Sequence, residues 1–147
     1  MSMEANIQKL LDIQEIRHIS ASYNRYADVA DGESFAALWV EDGGEFDIVG
    51  AKVFHGREEI AAVCSSAKEI LHFAVDSQIE VDGNTATQSS KLLLFHREID
   101  GSALDFACTT TMTDKFVKID GKWFIKRRQS NIDMNKESAF LKMKLFS

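Results

Sequence analysis

From Glu4 to Ala30 the apolar positions Ile7, Leu10, Leu11, Ile16, Ile19, Tyr23, Tyr26 and Ala27 recur at spacings of three and four. That spacing lays one stripe along a long amphipathic helix. "ADG" at Ala30–Gly32 should stop it, since glycine suits the left-handed position beyond a helix end. "ESFAALWV" then reads as a short helix carrying Phe35, Leu38 and Trp39, and "GGEFDIVGAKVFHG" as two short extended pieces around Gly50, forming a hairpin. Helical character returns in "GREEIAAVCSSAKEI", with acidic residues near its first turn, where the helix dipole favours them.

After Leu71 the period changes. "LHFAVDSQIEV", "TATQSSKLLLFHREI", "LDFACTTTMTDKFVKI" and "KWFIKRRQSNI" are extended runs, separated by Asp-Gly pairs at Asp82, Asp100 and Asp120. Asp-Gly between strand-like runs is a strong hairpin signal. In the third run Leu104, Phe106, Cys108, Thr110, Met112 and Phe116 should share one face. The tail "NKESAFLKMKLFS" is mildly amphipathic and suited to covering an opening or an interface. Helices followed by an antiparallel meander predict an α+β fold, with about three helices packed on the concave side of a curved, mostly antiparallel sheet. Such a cone suits a small apolar ligand with a few polar groups at its base.

Composition narrows the function classes. The 147 residues fit one domain, 1–147, and 45% apolar content argues against disorder. The formal charge is −6, and Lys126–Arg128 form the one basic cluster, which argues against a nucleic-acid partner. No apolar run reaches the length of a membrane span and no secretory leader is apparent. Cys64 and Cys108 lie far apart without a CxxC, as expected of buried or free thiols in a cytoplasmic protein. His72 with His96 is too sparse for a metal site, and no dinucleotide, P-loop or nucleophile-elbow pattern occurs, so neither a metal nor a cofactor is expected.

Four stretches carry a resemblance: "HISASYNRYADVADGESFAALWVEDGGEFDI", "FHGREEI", "HFAVDSQIEVDGNTATQSS" and "DGKWFIKRR". Together they resemble the successive signatures of the NTF2-like superfamily, in particular its SnoaL-like branch. That branch also holds scytalone dehydratase, hexachlorocyclohexane dehydrochlorinase and bile-acid 7α-dehydratase. The likeness spans nearly the whole chain and implies the cone, although one cone hosts cyclases, isomerases, dehydratases and non-enzymatic modules. It further implies Asp31 and His72 as a catalytic pair, Tyr26 beside them, and His96 and Arg128 as pocket residues. It also implies self-association, as a dimer or trimer, through the outer face of the sheet.

Read chemically, a carboxylate on one imidazole nitrogen fixes the tautomer and stabilises the imidazolium formed when the other nitrogen takes a proton. The expectation is therefore a cofactor-free lyase of the dehydratase type, acting on a small hydrophobic cyclic molecule. His72 is the base, Asp31 its partner and Tyr26 the donor to the departing oxygen, with Trp39 and Phe46 as apolar walls. Asp28 reads as a solvated charge at the helix end. Two alternatives stay open. "EFDIVGAKVFHG" also resembles the segment of ketosteroid isomerase that carries its general base, which would shift catalysis to Asp47. A non-catalytic ligand-binding or assembly module would need none of these roles.

Overall fold

The structure, a computed structural model, describes residues 1–146. Helix α1 (Met3–Asp28) starts at Ser2, whose hydroxyl accepts from the Ala5 N–H. Its buried face begins only at Asp12 and continues through Ile16, Ile19, Tyr23, Asn24 and Ala27. The forward part of the expected stripe, Ile7, Leu10 and Leu11, is exposed. The chain then turns through Ala30, at φ +55°, into the one-turn helix α2 (Gly32–Ala36). Strands β1 (Glu45–Ile48) and β2 (Lys52–His55) form the hairpin expected around Gly50, and α3 (Gly56–Ser66) follows at once.

The meander comprises β3 (Ile70–Asp82), β4 (Thr85–Arg97), β5 (Leu104–Ile119) and β6 (Lys122–Ile132), with turns at each of the three Asp-Gly pairs. The six strands form one sheet in the order β2-β1-β6-β5-β4-β3. Every neighbour is antiparallel except β1 on β6. A fourth helix, α4 (Lys136–Met143), is built from the amphipathic tail and begins at Asn135, whose side chain accepts from the Ser138 N–H. The α+β architecture is as expected, with four helices rather than three. Among the described residues no helix is long and apolar enough to cross a membrane.

One register expectation fails. Between Leu94 and Phe95 the β4–β5 pairing shifts by a residue, so Ala107 and Cys108 are both buried while Phe106 and Leu104 face outward. A bulge of this kind reverses the alternation beyond it. Leu104 and Phe106 therefore leave the face shared by Cys108, Thr110, Met112 and Phe116.

The core fills the space between the helices and the inner sheet face. At its centre Tyr23, Phe35, Trp39 and Phe46 touch pairwise with ring centroids 4.7–6.1 Å apart. Each buried aromatic contributes about 1.5–3 kcal/mol of hydrophobic stabilisation, and tilted pairs add to it. Trp39 is wholly buried, and its indole N–H donates to the Glu45 carbonyl at 3.1 Å. These contacts hold the end of α1 against the hairpin and fix the backbone around the site.

Candidate active site

At the last turn of α1, Asp28 meets the first turnless stretch of β3. Its Oδ1 accepts from the His72 backbone N–H at 2.8 Å and lies 2.9 Å from the ring Nδ1. A carboxylate only accepts, so the ring must donate from Nδ1, which leaves the lone pair on Nε2. His72 is 11% exposed and Asp28 28% exposed, so the pair is half withdrawn from water.

The carboxylate on His72 is thus Asp28, not Asp31. The helix runs on to Asp28, and positions 20, 24 and 28 fall on one helical row facing β3. Asp31 is taken up by the following turn, where it caps α2 by accepting from the Ser34 N–H at 3.2 Å. The resemblance points to an acid past the helix end, three residues beyond the carboxylate that contacts the ring from its last turn.

His72 lines a mainly apolar cavity of about 80 Å³. Phe35, Phe46, Ile70 and Leu94 form part of its wall, and Phe140, Met143, Leu145 and Phe146 from the C-terminal segment close one side. Tyr23 also lines it, its ring edge-on to the imidazole at 6.1 Å between centroids. Burial drives the Tyr23 pKa well above the ordinary phenol value, and the nearby Arg128 cation opposes this without reversing it. The phenol therefore keeps its proton and can donate. Cys64 lines the same cavity, but burial and then the Asp31 charge push its thiol up to about 12, which leaves no thiolate to act as a nucleophile.

Other expected site residues fall elsewhere. Tyr26 is one helical step off the cavity face and lines a separate surface groove with His18, Ser22 and Trp123. Trp39 stands behind Phe46 and Phe35 rather than on the cavity wall, whereas Phe46 is on that wall. His96 is buried on β4 but lines no part of the cavity, with Glu98 4.0 Å from its Nδ1. Arg128 is 2% exposed and is likewise absent from the wall. It makes two 2.7 Å bonds to Asp114 and stacks over the Tyr23 ring at 4.3 Å. Burial alone would weaken its charge, but Asp114 outweighs that and holds the guanidinium above its ordinary pKa.

Asp47 faces away from the cavity. Phe46 points inward on β1, so its neighbour points to the opposite face, where Asp47 accepts from Arg127 at 2.7 Å and Gln129 at 3.0 Å. It is thus tied to two partners within the sheet, where β1 lies between β2 and β6, and it does not line the cavity.

A family profile described as "SnoaL-like domain" matches residues 8–129. No curated protein matches the chain. Among solved structures, an NTF2-like protein with a cystatin-like fold from Novosphingobium aromaticivorans is 26% identical, with a TM-score of 0.81 over 95% of this chain and 94% of that one. A candidate scytalone dehydratase from the same organism is 25% identical, with a TM-score of 0.73 over 85% and 86%. A hexachlorocyclohexane dehydrochlorinase from Novosphingobium barchaimii is 14% identical, with a TM-score of 0.76 over 88% and 91%, a likeness of fold alone.

Proposed function

The chain belongs to the SnoaL-like domain family of the NTF2-like superfamily, and from that premise we propose that it is a cofactor-free lyase eliminating water or a comparable leaving group from a small, hydrophobic cyclic molecule. The observation that carries this reading is the 2.9 Å contact between Asp28 and the ring of a histidine that lines an apolar cavity. Neighbours described as dehydratase and dehydrochlorinase are consistent with a lyase-type role.

In the proposed reaction the Nε2 lone pair of His72 takes a proton from carbon. The C–H electrons become the new double bond while the bond to the leaving oxygen breaks. Asp28 stabilises the imidazolium formed, and the Tyr23 phenol donates to the departing oxygen, which finally receives the proton held on His72. Low polarity around the pair strengthens each of these interactions. A cavity of about 80 Å³ is roughly half the 150 Å³ of an engineered cavity that holds benzene. A cyclic substrate therefore needs more room beside His72 than the cavity offers in this form.

The test is turnover of a panel of cyclic hydroxy-ketones and sterols followed by mass spectrometry. Loss of 18 mass units from one member, abolished by His72→Ala, supports the reading. A ligand that binds in the cavity and leaves unchanged, with His72→Ala indifferent, replaces it by the binding-module reading. An isomerised product that needs Asp47 would also overturn it.

We further propose that a second copy of the chain covers the outer face. Phe73, Phe95 and Phe106 form a T-shaped aromatic row there, with successive centroids 5.6 Å apart, and Phe73 is 51% exposed. Exposed aromatic rows of this size are costly in water unless they are covered.

A further inference from the structure

On the other side of the His72–Asp28 pair lies a second space, an open groove of about 510 Å³ between α1 and strands β3 and β4. Its lining holds more polar side chains than the cavity's, beside Ala21, Phe73 and Ala74. Its floor is polar and already organised: Ser77 donates to Gln88 at 2.8 Å, and Gln88 donates to Ser20 at 2.8 Å and to Asp114 at 2.9 Å. That network continues to Arg128, so the floor is fixed from beneath by a buried ion pair. Preorganised polar groups of this sort cost little to order when a ligand arrives.

Two features are left over. The Asn24 side chain, 9% exposed, lines the groove, and its Oδ1 is buried with no hydrogen-bond partner. Among the described residues it is the one buried side-chain polar atom in this condition, and such orphans call for an explanation. Arg17 and Arg25 also line the groove, two helical turns and about 12 Å of rise apart. Neither has an ion-pair partner among the described residues. Asp28 is the opposing charge on this wall; β3 and β4 contribute neutral hydroxyls, Gln88 and the His72 ring. With His72 neutral the lining carries a net positive charge in a chain of net charge −6.

We propose that this groove is a second binding subsite, which takes an oxyanion, carboxylate or phosphate, carried on a hydroxyl-bearing molecule. The arginines recognise the anion through charge-assisted bonds, and ligand hydroxyls meet the Ser20 and Ser77 hydroxyls that line the groove. Ser90 and the organised floor supply the remaining polar partners. This assignment does not rest on the lyase reading, since the groove and the cavity share only His72 among their lining residues.

The experiment titrates the ¹⁵N-labelled full-length chain with D-glucuronate, glucose 6-phosphate and, as the uncharged control, glucose. Saturable shifts at the Asn24 side-chain amide and at the backbone amides of Ser20, Arg25, Ser77 and Ser90 are expected with at least one anion and not with glucose. Response to the sugar acid alone or the phosphate ester alone identifies which oxyanion is preferred. Arg17→Gln and Arg25→Gln, both at exposed positions, should each weaken the affinity about ten-fold, the effect of losing one charge-assisted bond. Added salt should weaken it further. No saturable shift by about 50 mM, beyond the millimolar range expected of a few such bonds, would overturn the proposal. So would equal response to glucose, shifts confined to another face, or affinity indifferent to both arginine substitutions.

Discussion

Replacing Asp28 by alanine removes both bonds that its Oδ1 accepts, one from the His72 backbone N–H and one from the ring. Bonds to a charged group contribute about 1.5–3 kcal/mol each in a dry site. With Asp28 28% exposed, water takes over part of this, and about 2 kcal/mol of lost stability is expected. Asp31→Ala removes an N-cap, worth about 1 kcal/mol. Stability alone therefore separates the two acids poorly, and the ring separates them well. In the native chain the carboxylate holds the proton on Nδ1; without it the neutral ring is free to carry the proton on Nε2, the nitrogen that the proposed chemistry needs unprotonated. Long-range ¹H–¹⁵N correlation spectra of the neutral ring read the tautomer directly and need no substrate. Asp28→Ala should convert Nδ1–H to a mixture, whereas Asp31→Ala should leave it alone. Once a substrate is in hand, Asp28→Ala should lower kcat by about 10²-fold or more, the usual share of a positioned acid–base pair. An unchanged tautomer in Asp28→Ala, or a changed one in Asp31→Ala, would refute the assignment of Asp28 as the partner.

Three further outcomes follow from geometry elsewhere. A Cβ on Gly32 would run into the Ala61 carbonyl and the Ser65 hydroxyl of α3, so Gly32→Ala should cost about 1–3 kcal/mol in urea denaturation, where helix propensity alone predicts a gain. Asp12 is buried, which by itself raises its pKa, but bonds from Trp123, Lys118 and Gln8 outweigh burial and hold it below 3.8. Its contribution is thus fully present above that value and is lost as pH falls through the lower folded value; Asp12→Asn should flatten this acid limb of a stability–pH curve. Phe106→Glu, on the outer face and 46% exposed, should shift the mass in light scattering from an oligomer to a single chain without loss of helical signal; an unchanged mass would remove the self-association proposal.

The parts of this molecule that local chemistry dictates were legible from the residues. Asp-Gly pairs at Asp82, Asp100 and Asp120 give the chain a turn it can hardly refuse, and each became a hairpin connection. The tail was read only as amphipathic, and its helix, capped by Asn135 with Phe140 and Met143 buried, is the one added to the expected three. What failed depended on long-range packing. The bulge that turns Phe106 outward arises where β5 must follow the curvature of β4, and the local alternation of Leu104, Phe106 and Cys108 carries no mark of it.

The displaced acid is the instructive case, because the sequence did hold a signal. Ser20, Asn24 and Asp28 stand four apart, so whichever element packs on that row meets all three. Tyr23 and Ala27 form the adjacent row, which reaches the apolar cavity, and Tyr26 falls on the other side. A helix ending in this phase offers its last carboxylate to the polar row beside the apolar one, so that the acid meets an imidazole lying between them. That arrangement gives His72 an apolar face for the proposed chemistry and leaves Asp28 on the groove side, where the proposed anion would be felt. The same phase argument links the two proposals: one helix stands between an apolar cavity and an open groove richer in polar side chains, and the His72–Asp28 pair is the point at which they meet.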